Sequence, residues 1–224
     1  PVLTAACNTV KKKQVVFTLV TDPIAGGAGT SDTDHLPFLT GVGAFPPIED
    51  MIDMIREVIP GVKVVGTLYN SSEANFRKVV GVARELFPKK GIRLEEVTVT
   101  ASGEVYQAAE AVASRGIQAL WISGDNTALG AFEAIVKVAL ERKLPLFNED
   151  PEFTERGALA SVGLGVYQSG YAGGKLAARV LLGEHPRALP FEQVTKKTIA
   201  LNHDIARRLG ITFPERLRKA AAAQ

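Results

Sequence analysis

The run Val62-Lys63-Val64-Val65-Gly66-Thr67-Leu68 leads into Tyr69-Asn70-Ser71-Ser72-Glu73-Ala74-Asn75, and a helical pattern from Phe76 to Phe87 follows. An apolar run of this length reads as a buried strand. The polar residues turn the chain, and a helix begins near Ser72. In open α/β sheets, ligands occupy the crevice outside the carboxyl ends of the strands. A helix start placed there offers unpaired backbone N–H groups and the positive end of a dipole. Ser71, Ser72 and Asn75 add short donors, and Glu73 adds a negative charge. The mixture suits a small ligand carrying both an anion and a cation. Taken singly, each residue is accounted for by a local role, Ser71 or Ser72 as a helix cap and Asn70 in the turn. Five polar residues packed together point to a site.

Outward from this stretch the alternation is regular. Toward the C-terminus, strand 92–99 precedes helix 103–115, and strand 119–123 precedes helix 127–142. Strand 144–147, a short helical piece at 151–155 and strand 158–163 follow. Repeated βα units of this length imply a parallel sheet covered by helices on both faces, joined by right-handed crossovers. A glycine-containing helix runs from about Tyr167 to Leu182. A strand is expected over 191–201, and two short helices, 204–209 and 214–222, close the chain. Toward the N-terminus, Ile48, Ile52, Ile55 and Ile59 recur at helical spacing behind Phe45-Pro46-Pro47. Gln14–Val20 reads as a strand buried on both faces. Residues 2–12 read as a helix carrying Cys7 as a small buried residue and ending in Lys11-Lys12-Lys13, where cations complement the dipole.

The 224 residues suffice for one large domain or two lobes, and 46% apolar with 22% charged residues is ordinary for a globular protein. The net charge of +2 is spread along the chain, which excludes a nucleic-acid footprint. The single cysteine excludes an intrachain disulfide. Gly26-Gly27-Ala28-Gly29 lacks the Lys-Ser/Thr of a phosphate-binding loop.

Polar residues recur at strand ends. Thr21-Asp22 follows the first strand, Asn70 to Asn75 the strand quoted above, Ser123-Gly124-Asp125-Asn126-Thr127 another, and Asn148-Glu149-Asp150 a further one. Parallel strands place their ends on one edge. Each residue could be a cap or an Asx turn, but the shared edge argues for a cleft, with Asp125 pointing into it. Tyr69 is open to ligand stacking or to packing, and Trp121 is expected in the core. The three histidines lie away from these ends, and neither a nucleophile elbow nor a metal-ligand spacing is present. Neither a metal nor another cofactor is called for. Glu73 and Asp125 as an acid/base pair of an enzyme is the chemical rival.

The chain resembles the ABC-transporter substrate-binding proteins of the tryptophan/tyrosine-binding type, which have the periplasmic-binding-protein type I fold. The resemblance is carried by Val16-Phe17-Thr18-Leu19-Val20-Thr21-Asp22-Pro23, Leu39-Thr40-Gly41-Val42, Gly66 to Asn75, Gly124-Asp125-Asn126-Thr127, Arg156-Gly157-Ala158-Leu159-Ala160 and Ala206 to Pro214. It implies an α/β fold of two Rossmann-like lobes with parallel sheets. Residues 1–43 and 166–204 would form the first lobe, incomplete in this chain, and 44–165 the second, with 205–224 as a helical tail. Crossings would fall near Gly43–Pro46, Gly163–Val166 and Leu201–Asp204. About a hundred first-lobe residues and a secretion signal would precede Pro1. The residues the resemblance places in the inter-lobe cleft are Thr21, Asp22, Asn70, Ser71, Ser72, Glu73, Asn75, Asp125, Asn126 and Asp150. The expected ligand is a small zwitterion, an amino acid of aromatic or branched type, its carboxylate at Ser71–Asn75 and its ammonium at Asp125, with Glu73 or Asp22 assisting. A membrane ABC permease is the implied partner, and a monomer is expected. The implied location is periplasmic or extracellular, with a lipid anchor carried by a segment outside this chain. The alternative is the effector-binding domain of a transcriptional regulator, which shares the fold.

Overall fold

A computed structural model describes residues 2–10 and 12–223, with Ala74 described in its backbone alone. Pro1, Gln224 and Lys11, the first residue of the expected basic helix end, lie outside the described residues. In chain order the elements are α1 (Val2–Thr9), β1 (Val15–Val20), β2 (Leu39–Gly43), α2 (Ile48–Val58), β3 (Val64–Asn70), α3 (Ala74–Lys89) and β4 (Arg93–Val99). Next come α4 (Val105–Ala113), β5 (Ala119–Ile122), α5 (Asn126–Leu129), α6 (Phe132–Glu141), β6 (Leu146–Asn148), α7 (Glu152–Glu155) and β7 (Ala160–Leu164). The chain ends with α8 (Val166–Leu181), β8 (Glu192–Gln193), β9 (Lys197–Leu201), α9 (His203–Leu209) and α10 (Glu215–Ala222). It divides into two compact units, Pro1–Pro46 with Leu164–Lys196, and Pro47–Gly163 with Lys197–Gln224.

The larger unit holds a six-stranded sheet in the order β4-β3-β5-β6-β7-β9. Pairings β3–β4, β3–β5, β5–β6 and β6–β7 are all parallel. Alternation along β5 shows how the two faces are filled. Leu120 and Ile122 join a cluster with Val112 of α4 and Phe132, Ile135 and Val138 of α6. Trp121 points the other way, its ring 5.6 Å from that of Phe87 on α3. Successive side chains of a strand face opposite sides, so a sheet covered on both needs a continuous apolar run. That is what β3 and β5 supply.

The smaller unit has a three-stranded sheet, β1-β2-β8, with parallel pairings. Helix α8 packs on β1 and β2, and α1 lies against β1. Leu3, Cys7, Phe17, Leu39 and Phe191 form its core, with the Phe17 and Phe191 rings 5.0 Å apart edge to face. Gly173 of α8 sits where an added Cβ would come within 3.2 Å of Thr18. That close approach accounts for a glycine at 173, while Gly170 and Gly174 face open space.

Four expectations are corrected. The strand expected over 191–201 is two strands in two sheets, β8 in the smaller and β9 in the larger. Lys197–Leu201 therefore belongs with residues 47–163, and so do the two closing helices. The helix expected over 127–142 is broken into α5 and α6 at Gly130-Ala131, where Ala131 leaves helical geometry with φ −128° and ψ 35°. β1 is not buried on both faces. It is the end strand of its sheet, Thr18 and Leu19 are exposed, and its register slips between Phe17 and Val20, where Leu19 takes a positive φ of 57°. Finally, α3 begins at Ala74 and not Ser72.

At the C-terminal end, Asn202 caps α9, its Oδ1 accepting from the N–H groups of Asp204 and Ile205 at 3.1 and 2.9 Å. Gly210 closes the helix in the left-handed region, at φ 68°. Asn202→Ala should lower stability by about 1 kcal/mol through loss of the cap, read as a reduced urea midpoint with unchanged slope. No helix among the described residues is long and apolar enough to cross a membrane.

Candidate functional site

β3, β5 and β6 are neighbours and run parallel, so the loops leaving Asn70, Ile122 and Asn148 emerge on one edge of the larger sheet. Asn70 builds the first loop. Its buried Oδ1 accepts from the backbone N–H and the hydroxyl of Ser72 at 2.9 and 2.7 Å, an Asx turn that holds the chain as it leaves the strand. Its Nδ2 donates to Thr127 Oγ1 at 2.9 Å, and its backbone N–H donates to Asp125 Oδ2 at 3.0 Å. Arg77 of α3 reaches back and donates to the Ser71 carbonyl at 2.8 Å. Glu73 is the last residue before α3, in extended geometry at φ −81° and ψ 105°. Its carboxylate accepts from Asn126 Nδ2 at 2.7 Å and from Thr127 Oγ1 at 3.3 Å. Asn70, Ser71, Ser72, Glu73, Asn75, Asp125, Asn126 and Thr127 thus form one cluster spanning two loops, with Ser71 and Ser72 exposed and Glu73 and Asn75 half-buried.

Asp125 corrects an expectation. Its side chain does not point into a crevice: the residue is 0% exposed. Oδ1 accepts from Ala128 N at 2.7 Å and Oδ2 from Asn70 N at 3.0 Å. Burial holds its carboxyl above the usual carboxylate range, with the Ala128 and Asn70 N–H groups pulling the other way. Asp125 caps α5 and ties that helix to the end of β3. Tyr69, open to ligand stacking or to packing in the sequence, is buried. Its buried hydroxyl accepts from Arg84 Nη2 at 2.8 Å, and Arg84 is itself paired in bidentate fashion with Glu96 of β4.

Asp150 lies at the same edge, two strands over. Its Oδ1 accepts from Glu152 N at 3.0 Å at the start of α7. Thr21 and Asp22 belong to the smaller unit, where Asp22 is buried and its Oδ1 accepts from Ala25 N at 3.0 Å in the turn after β1.

The residue overlooked between Asn148 and Asp150 is Glu149. It is 8% exposed, and its Oε1 accepts from Trp121 Nε1 at 2.9 Å. Burial pushes its carboxyl up to about 8, against the opposing pull of the indole and the Gly124 backbone N–H. The one signal in the sequence is position: a carboxylate directly continuing the fully buried Phe147-Asn148. Among the described residues no group of three or more His, Cys, Asp or Glu is placed to hold a metal ion.

This architecture, parallel sheets with a polar edge, is the periplasmic-binding-protein type I fold. The chain belongs to the ABC transporter substrate-binding protein family, whose profile it matches over residues 2–224. Members of that family bind a solute and are not enzymes. A conserved domain protein from Vibrio cholerae is 31% identical and superposes with a TM-score of 0.90, over 98% of this chain and 74% of that one. The ABC domain from Streptococcus pneumonia, solved in complex with L-Trp, is 28% identical with a TM-score of 0.89 over the same shares. A tyrosine-binding protein of Clostridioides difficile is 28% identical over 93% of this chain and 60% of its own length. The chain spans 60% and 62% of the lengths of the two curated relatives it matches.

Proposed function

We propose that this protein binds a small zwitterionic solute, an amino acid of aromatic type, at the strand-end edge of the larger unit. The observation that supports this best is Glu73. Its carboxylate is steadied by the neutral donors Asn126 and Thr127 and stands at the start of the 16-residue helix α3. A negative charge beside the first-turn N–H groups of α3 and the exposed Ser71 hydroxyl is complementary to an ammonium and a carboxylate on one carbon. The L-Trp complex and the tyrosine-binding relative support an aromatic side chain on that solute. Asn75, Asn126 and Asp150 lie on the same edge and extend the proposed surface. The family supports the further reading that the solute is delivered to a membrane permease from outside the cytoplasm.

Calorimetry with L-tryptophan, L-tyrosine and the corresponding amines and deaminated acids tests the reading. Zwitterions should bind, and loss of either charged group should weaken them. Glu73→Gln should raise the Kd of the zwitterion about tenfold, since one charge-assisted hydrogen bond is worth about 1.5 kcal/mol or more. The deaminated acid should bind both proteins alike. Equal zwitterion affinity in the two proteins would remove Glu73 from the site.

A further inference from the structure

Glu149, like Asp125, is a carboxylate of this edge that is enclosed while facing only neutral donors. Trp121 on β5 donates from its indole, and the backbone N–H of Gly124 lies against it from the loop after β5. Its own backbone is wedged against β7, where a Cβ on Gly163 would fall 1.5 Å from the Glu149 carbonyl oxygen. The other carboxylates of the edge have engagements of their own, and its one described arginine, Arg77, is held on the Ser71 and Ser72 carbonyls. Asp150 is on the Glu152 N–H, Asp125 on the Asn70 and Ala128 N–H groups, and Glu73 on Asn126 and Thr127. Among the described residues no cation acts on Glu149. An enclosed carboxyl with no counter-charge is held as the neutral acid.

We propose that Glu149, as the neutral acid, is a positioning residue that fixes the loops 123–127 and 148–151 in the arrangement that receives the solute, and that solute affinity therefore falls as pH rises. This rests on the solute-binding reading of the same edge. Ionisation places an unpaired charge against the indole and between two loops, and the relief available is outward movement of Glu149 with the chain on either side of it. Since burial pushes the group up to about 8, the change falls just above neutral pH. The folded protein keeps a proton that the unfolded chain, at the usual 4.5, has released. Stability is thus drawn down as pH climbs from 4.5 to about 8 and levels off above it.

The protein contains a single tryptophan, Trp121, so its emission reports on Glu149 directly. The experiment pairs an indole fluorescence titration of the free protein from pH 6 to 9.5 with calorimetric Kd values for L-tyrosine over the same range, on wild type and Glu149→Gln. If only the neutral form is competent, the wild-type Kd rises about tenfold between pH 7 and pH 9. In Glu149→Gln that rise is absent beyond the change caused by the ligand's own ammonium, which affects both proteins equally. An emission transition near pH 8 in wild type, missing in the variant, accompanies it. Parallel Kd profiles for the two proteins, or no emission transition in wild type, overturn the proposal. Should Glu149→Gln fail to fold, Trp121→Phe removes the donor that favours ionisation, and the affinity loss should move to higher pH; an unmoved profile counts against the role. If no amino acid binds at pH 6.5, the solute-binding reading falls. The emission transition and its loss in Glu149→Gln then decide the neutral acid by themselves.

Discussion

Asp125→Ala is expected to lower the stability of the larger unit by about 3 kcal/mol, because it removes two charge-assisted bonds and leaves two backbone N–H groups enclosed without acceptors. Those groups belong to Asn70 and Ala128. The residue is 0% exposed, so water does not restore the lost partners in the folded state. The unit's Trp121 is fully buried, and its emission follows the unfolding of this unit. In urea the midpoint should fall with little change in slope. Asp125→Asn should cost less, since its one remaining oxygen still accepts while its amide faces the other donor. Solute affinity measured in the folded fraction should fall modestly, through the displaced Asn70 loop. A variant of wild-type stability that no longer binds zwitterions would return Asp125 to the site.

Gly163→Ala is expected to be at least as damaging. The new methyl would lie 1.5 Å from the carbonyl oxygen of Glu149 and 2.7 Å from its carbonyl carbon, with Pro151 Cδ at 3.3 Å. All the atoms it meets are backbone or proline ring, and none has a rotamer to turn. Either β7 leaves β6 or the loop carrying Glu149 lifts, and overpacking of that kind costs about 3 kcal/mol or more. Because the loop that lifts carries Glu149, the Kd for L-tyrosine should rise at least tenfold in whatever protein folds. Soluble Gly163→Ala with the wild-type urea midpoint would refute this account of the contact.

The sheet of the larger unit was legible because its central strands β3 and β5 are apolar runs, the mark of burial on two faces, and its helices repeat at 3.6 residues, the mark of burial on one. The cluster around Asn70 and Glu73 was legible for a related reason. Polar residues that follow a buried run must lie at a strand end. What could not be read is which way a carboxylate turns once there. Asp125 as a cap and Asp125 as a ligand contact have the same local sequence, and only the position of Asn70, 55 residues away, separates them. Glu149 and Asp150 pose the same ambiguity between neighbours: one is enclosed by Trp121 and Gly163, and the other faces outward to cap α7. The assignment of β8 and β9 to different sheets was equally hidden, because a β-rich run from Phe191 to Leu201 carries no mark of which strand it will pair with. The three residues Val194–Lys196 suffice to pass from one sheet to the other.

That short passage at residues 194–196 has a consequence for synthesis. Neither unit is a continuous piece of chain: the smaller requires residues up to 196, and the larger requires β9 and the closing helices after it. Domains ordinarily complete themselves one after another as the ribosome delivers them. Here the smaller unit receives its third strand only after the central strands of the larger unit have been made, and the larger one waits for Lys197–Leu201 to cover the edge of β7. A ribosome-bound chain stopped before Lys197 would display an open β7 edge to any passing strand or chaperone.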